Sequence, residues 1–301
     1  MSVIFGTTNT DGTGSAADLN EENGILVNDD YQQDGVNINV TDEDELGFSF
    51  SEIEADTSVW NSPKEVKVEG STDEVIQINN FVDVYIDNQS DLGHSQLDVL
   101  NVKRAFINTA GVDSDDSIMI GVKSNSVQWS NLFEVSTGEG NDAVSMMNIE
   151  NSKYTEFDIN LGNGNDKFDF SNLELAEYQS QLRHVDGGEG LDVLYTNGDA
   201  NLTFEGFEVV QGKGQGVDSV LEMDAAALAN NADSEFGLIV ADLDVEMGEG
   251  VESYTVSELS ASQADHLGDE GFDSSEFTAV TFTTESGDEF TILTDDADFL
   301  V

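Results

Sequence analysis

Four short segments of the chain obey one pattern, Gly, any, Gly, any, Asp, any, apolar: GEGNDAV from Gly138, GNGNDKF from Gly162, GEGLDVL from Gly188 and GQGVDSV from Gly214. Their starts lie 24, 26 and 26 residues apart. A chain that returns to the same turn at so regular a spacing is built from stacked coils, because each copy is one supersecondary unit that cannot bury its apolar face alone. The two glycines permit positive φ and a tight, carbonyl-exposing turn. Asp142, Asp166, Asp192 and Asp218 then place a carboxylate at the end of each turn, and Val144, Phe168, Leu194 and Val220 open an inward-facing strand. Around the second copy the alternation is plain. Phe157, Ile159 and Leu161 alternate with Asp158 and Asn160 before the turn, and Phe168 and Phe170 flank Asp169 after it. Period-two alternation on both sides of a glycine turn means strand, turn, strand. The expected fold is all-β: a right-handed parallel β-solenoid, related to β-helices and β-rolls, with about 25 residues per coil and small capping segments.

Coils of such a solenoid sit roughly 4.8 Å apart, so equivalent turns form a column. Exposed carbonyls and one carboxylate per turn, facing the same groups one coil away, can assemble the roughly six to eight oxygen ligands that calcium takes, with about three sites between four turns. The competing reading is that glycine and aspartate only make tight turns, the aspartate bonding backbone amides.

The four segments resemble the RTX nonapeptide GGxGxDxUx, where U is a large apolar residue, and the GND of the first two copies is a frequent form of it. The resemblance implies calcium as the bound ion. Its ligands would be Asp142, Asp166, Asp192 and Asp218, with backbone oxygens near Gly138, Gly140, Gly162, Gly164, Gly188, Gly190, Gly214 and Gly216. Two departures matter. Only the third copy has the double glycine, Gly187 and Gly188, whereas Thr137, Leu161 and Lys213 lead the others. RTX arrays repeat every nine residues, while this chain carries the motif once per coil, so one calcium-lined edge is expected. Weaker echoes are Asp73 with Val75, Asp98 with Leu100, Asp116 with Ile118, and MGEGVESYT from Met247, where Glu252 replaces the aspartate; the first three lack the glycine pair and suggest coils without calcium.

Composition narrows the partners. Nine Lys and Arg stand against 63 Asp and Glu, a formal charge of -54. Such a chain repels nucleic acid and anionic membrane surfaces and favours divalent cations, high salt or basic surfaces. The acidity itself is read equally well as salt adaptation or as calcium binding. At 38% hydrophobic residues a core is affordable, and without cysteine no disulfide or thiolate site exists. Pro63 is the single proline, which suits long sheet ladders. No cleavable signal peptide opens the sequence, and no apolar run approaches the roughly 20 residues that span a bilayer. The ending Asp298, Phe299, Leu300, Val301 resembles the acidic-then-apolar terminus of RTX proteins exported by type I secretion, which implies a secreted, extracellular or cell-surface location.

Residues 1–60 are expected to form an N-terminal cap or assembly arm, 61–222 the solenoid with its calcium turns, and 223–301 a C-terminal capping region carrying the secretion-like signal. In that last region EMDAAALANNADSEF (222–236) and SELSASQADHLGDEGF (257–272) read as short helices, and FTAVTFTTESGDEFTIL as a hairpin turning at Gly287.

Signals for catalysis are thin. His94, His184 and His266 have no zinc spacing, and the chain has no GxSxG elbow, P-loop or cysteine nucleophile. Arg104 and Arg183 are the only arginines, few for neutralising uronates, and Trp60 and Trp129 read as core or cap aromatics before a sugar platform. The expected function is therefore non-enzymatic. It is a secreted calcium-binding structural protein of the cell surface or extracellular matrix, an S-layer or biofilm component that self-associates into a homo-oligomer or polymer. Extracellular polysaccharide is the other candidate partner. The alternatives are an adhesin or carbohydrate-binding module, and a β-helix enzyme acting on polysaccharide.

Overall fold

The structure is a computed structural model that describes residues 3–4, 36–40, 47–51, 65–70, 75–79, 83–88, 96–111, 114–122, 131–148, 155–173, 183–198, 202–213, 220–231 and 236–296. In chain order the strands are β1 (Val3–Ile4), β2 (Val36–Val40), β3 (Gly47–Ser51), β4 (Glu65–Gly70), β5 (Val75–Asn79), β6 (Asp83–Asn88), β7 (Gln96–Val102) and β8 (Arg104–Gly111). They continue as β9 (Ser117–Val122), β10 (Asn131–Glu139), β11 (Ala143–Asn148), β12 (Thr155–Gly164), β13 (Lys167–Asn172), β14 (Arg183–Asp186), β15 (Glu189–Gly190) and β16 (Val193–Thr196). The last third holds β17 (Thr203–Glu205), β18 (Val209–Gly212), β19 (Val220–Met223), helix α1 (Ala225–Asn230), β20 (Leu238–Ala241), β21 (Asp244–Met247), β22 (Val251–Ser257), helix α2 (Ala261–Asp269), β23 (Thr278–Thr284) and β24 (Glu289–Thr294).

The described residues are mostly strand (63%) and wind as a parallel β-solenoid with about 24 residues per turn. Alternate strands feed two sheets. One has 13 strands in the order β1-β3-β5-β7-β9-β11-β13-β16-β18-β20-β24-β23-β22, and the other runs β17-β14-β12-β10-β8-β6-β4-β2 with β15 beside β12. The pairings are parallel until the final meander, where β24 pairs antiparallel with β23 and β23 with β22. β2 and β3, from the first 60 residues, already pair in parallel with β4 and β5.

The register places like residues over like. In the larger sheet Leu97, Ile118, Val144, Phe168, Leu194 and Val210 stack in one file, all buried. Opposite them run Ile86, Ile107, Val135, Ile159, Val185 and Phe204. The alternation in the sequence thus becomes two apolar faces closed on each other, each large side chain contributing about 1.5–3 kcal/mol by burial. Phe157, Phe168 and Phe170 meet across the interior with ring centroids 5.6–6.2 Å apart.

The capping segments form where the sequence signals them. Helix α1 is N-capped by Asp224, whose side chain accepts from the Ala227 amide, and α2 by Ser260 in a capping box with Gln263. The β23–β24 hairpin turns at Gly287, with φ +89°. α1 and the residue after it close the smaller sheet: Asn231 Nδ2 donates to the Phe204 carbonyl at 3.1 Å, and Asn231 Oδ1 accepts from Phe207 N at 2.9 Å. α2 instead covers the outer face of the larger sheet, where Leu267 packs with Val209, Ile239, Ala279 and Leu293. That cover explains why β20 is buried along its whole length. Among the described residues no helix is long and apolar enough to cross a membrane.

Two expectations about repeats need correction. The fourth copy does not continue the inward file. Val220 is half-buried and pairs with Asp244 in a separate two-stranded sheet, β19 with β21, while Leu221 and Met223 turn inward. Lys213 lies on the outer face, 2.7 Å from Asp169 and 4.1 Å from the centre of the Tyr195 ring. Likewise Asp98 sits within strand β7 between buried Leu97 and Val99, opposite Met119, and not at a turn. A motif names a local turn, whereas stacking needs the strand before it to pair, and in these two places the pairing falls elsewhere.

Candidate metal column

The glycine turns connect the smaller sheet to the larger one, and three of them stack. Gly138, Gly162 and Gly188 have φ of +101°, +101° and +98°, and Gly140, Gly164 and Gly190 have φ of +131°, +151° and +149°. Glycine is required here twice over. Besides the positive φ, a Cβ on Gly164 would lie 1.5 Å from the Gly140 carbonyl oxygen, and one on Gly190 1.5 Å from that of Gly164. The carbonyls of one turn therefore point along the column at the next.

Behind the glycines the acidic residues form a file. Asp142 Oδ1 accepts from the Asp116 amide at 2.7 Å, Asp166 Oδ1 from the Asp142 amide at 2.7 Å, and Asp192 Oδ1 from the Asp166 amide at 2.7 Å. Glu208 Oε2 closes the file on the Asp192 amide, also at 2.7 Å. A second file runs outside it with opposite polarity. Asp115 Oδ1 accepts from Asn141 N, Asn141 Oδ1 from Asn165 N, and Asn165 Oδ1 from Leu191 N. Each Asn-Asp pair thus clamps its coil to both neighbours.

The inner file is electrostatically unfinished. Asp142, Asp166 and Asp192 are buried to 1% exposure or less, and the Oδ2 of each has no hydrogen-bond partner. None of the three pairs with a Lys, Arg or His among the described residues. Burial pushes Asp142 up to about 7, Asp166 to about 6 and Asp192 to about 7. It also pushes Glu208 above the usual carboxylate range. Ionised neighbours one coil apart repel by about 3 kcal/mol at an effective dielectric constant near 20. Such a file needs protons or cations, and its atoms are all oxygens, the donor set of a hard divalent ion. Among the described residues no three His, Cys, Asp or Glu side chains converge on one point. A cation here would depend on backbone carbonyls to complete its shell.

The column unites Gly138, Gly140, Asp142, Gly162, Gly164, Asp166, Gly188, Gly190 and Asp192, as the spacing predicts. Gly214, Gly216 and Asp218 lie outside the described residues, and the rung after Asp192 is filled by Glu208, only 16 residues on. Glu208 was not among the expected residues, and Asp116 was expected only as a weak echo. Both carry the legible part of the signal, an acid two residues before an inward Val210 or Ile118, without its glycines. Asp73, His94, Trp60, Trp129 and the last four residues also fall outside the described segments.

Elsewhere, His184 bridges Asp158 at 2.9 Å and Glu205 at 3.2 Å on the outer face of the smaller sheet. Burial opposes its charge, but the two carboxylates outweigh that and raise it. It ends an open groove of about 750 Å³ whose other end is a stacked pair, Tyr85 and Phe106, with centroids 5.0 Å apart. His266 is packed on Phe236, Arg104 is paired with Asp83, and Arg183 Nε donates to the Thr155 carbonyl, so these groups stand apart from one another. Compared with protein-family models, curated proteins and solved structures, the chain has no match.

Proposed function

We propose that this chain is a secreted calcium-binding structural protein of the cell surface or extracellular matrix, in which calcium rigidifies the solenoid. The observation that carries the reading is the file of three buried aspartates, each with one oxygen satisfied by the neighbouring coil and the other without a partner. Asp142, Asp166 and Asp192, one to each coil, would hold ions between the coils together with carbonyls of the glycine turns. The ions would supply the positive charge that the file lacks. The RTX-like spacing supports calcium over other divalent ions, and the resemblance it carries implies export into a calcium-rich medium. A solenoid whose cation is buried between coils gains rigidity along its axis, which is a structural role.

Circular dichroism and thermal melting of chelated protein during calcium titration test this, with magnesium and sodium at matched ionic strength as controls. The expected result is a calcium-specific rise in melting temperature that saturates. An equal response to all three salts would leave a salt-adapted solenoid whose glycine turns are scaffolding.

One observation favours a second reading, glycan recognition. The flat Tyr85–Phe106 stack borders Glu134 and Asp158 on the outer face, an aromatic ledge beside hydroxyl acceptors spaced by one coil. Saturable binding of neutral oligosaccharides that is lost in Phe106→Ala would support it, and no binding across a broad glycan panel would remove it.

A further inference from the structure

The open groove on the outer face of the smaller sheet runs along the solenoid axis, across β6, β8, β10, β12 and β14. Two parallel files of side chains line it. In one, Phe106 lies opposite Glu134, Glu134 opposite Asp158 and Asp158 opposite His184, each pair one coil apart. In the other, Asn108 lies opposite Ser136 and Ser136 opposite Asn160. The groove thus offers an aromatic ring near one end, carboxylates beyond it and short hydrogen-bonding groups alongside. Asp158 is engaged by His184 at 2.9 Å, whereas Glu134 is exposed and pairs with no cationic side chain among the described residues.

Resting on the glycan reading above, we propose that this groove takes a linear amino-sugar polysaccharide lying along the solenoid axis, one ring to a coil, with its protonated amines toward Glu134 and a ring face on Phe106. Charge narrows the class of glycan. A chain of net charge -54 repels uronate and sulfated polymers before they make contact, and Glu134 places a further carboxylate inside the groove. An ammonium set there gains both the carboxylate and the face of the neighbouring Phe106 ring. Spacing favours a polysaccharide over a basic peptide. Coils repeat at roughly 4.8 Å, whereas an extended peptide returns to the same face only every roughly 6.6–6.8 Å, so its lysines fall out of step with the coils. A pyranose unit linked through opposite ends of its ring advances the chain by nearly one coil, which keeps successive sugars over successive strands.

Calorimetric titration of the full chain with chitosan oligomers, from disaccharide to hexasaccharide in mildly acidic buffer, tests this beside cello-oligomers, oligogalacturonates and a lysine hexapeptide at matched ionic strength. The chitosan series is expected to bind most tightly and to gain affinity with each ring until the oligomer spans the groove. Glu134→Gln, a near-isosteric change at an exposed position, is expected to weaken the chitosan hexamer about threefold to fivefold and to leave the cello-oligomers unchanged. Phe106→Ala is expected to weaken both series, with melting temperatures checking that the variant is folded. Cello-oligomers that bind as tightly as chitosan, or a chitosan affinity unmoved by Glu134→Gln, would overturn the amino-sugar assignment and leave the glycan reading standing. A lysine peptide that binds as tightly as chitosan would reduce the binding to general attraction of polycations and overturn it as well. Silence from every glycan would remove both. The calcium response is set at the glycine turns and survives any of these outcomes.

Discussion

At the scale of single residues, Asp166 concentrates the competition between proton and cation. Its Oδ1 holds the Asp142 amide and its Oδ2 has no partner, so the two oxygens have separable jobs. Asp166→Asn keeps the acceptor and removes the charge. In chelator at pH 8 this variant is expected to be more stable than the parent by about 1–3 kcal/mol, because a buried uncompensated charge is gone. With calcium the order reverses, since the parent gains and the variant does not. Asp166→Ala loses the amide's acceptor as well and is expected to be destabilised in both conditions, more than Glu249→Ala or Glu276→Ala at exposed positions. Guanidinium melts of the four variants with and without calcium check this; equal effects at buried and exposed acids would sink the column. The same groups set a pH dependence. Asp142, Asp166 and Asp192 titrate in the folded chain at about 7, 6 and 7, above the ordinary carboxylate value of 3.8. Between those limits the folded state binds more protons than the unfolded one, so their contribution to stability is full below about pH 4 and is lost as pH rises through about 7. Chelated protein should therefore lose stability over that window. Calcium should flatten the loss and release protons as it binds, which a weakly buffered titration near pH 6.5 reads directly.

The turn is the element on which the column depends, and its glycines differ in how much they constrain. Gly164→Ala would drive a Cβ to 1.5 Å from the Gly140 oxygen at φ +151°, so coil spacing itself must give, and a loss above about 3 kcal/mol is expected. Gly271 also has positive φ, +86°, but open space around it, and Gly271→Ala is expected to cost only about 1–2 kcal/mol. Melting temperatures of the two variants separate stacking from backbone strain; similar losses would mean the turns do not touch. This distinction marks where sequence reading succeeds and where it stops. The Gly-any-Gly-any-Asp spacing was legible because one local geometry demands those residue types at each turn. The partners of the aspartates were not legible, because they are amides of the neighbouring coil, and an amide has no sequence signature. Glu208 escaped for the same reason: the last rung is set by the pairing of β18 with β16, which follows a coil of irregular length. The fourth copy shows the converse: its closing residue, Val220, opens a strand that pairs in another sheet.

At the scale of the whole molecule, the proposed calcium would act beside a general salt effect on a chain of charge -54, and salt separates the two. Surface self-repulsion is relieved by any electrolyte, since the screening length falls to about 3 Å at 1 M ionic strength. Sodium chloride alone should therefore raise the melting temperature of chelated protein and then level off. A cation between buried aspartates is beyond the reach of that screening, because Asp142, Asp166 and Asp192 are closed off from solvent and lack any other counter-charge among the described residues. Calcium added at 1 M sodium chloride is thus expected to give a further increment, nearly as large as at low salt, that grows with the logarithm of calcium concentration above its dissociation constant. Asp142→Asn combined with Asp192→Asn should abolish the high-salt increment while leaving the sodium response intact. A calcium increment that vanishes at high salt in the parent chain would place the ion among surface carboxylates, and the buried file would then be a proton-held ladder whose role is to bond coil to coil.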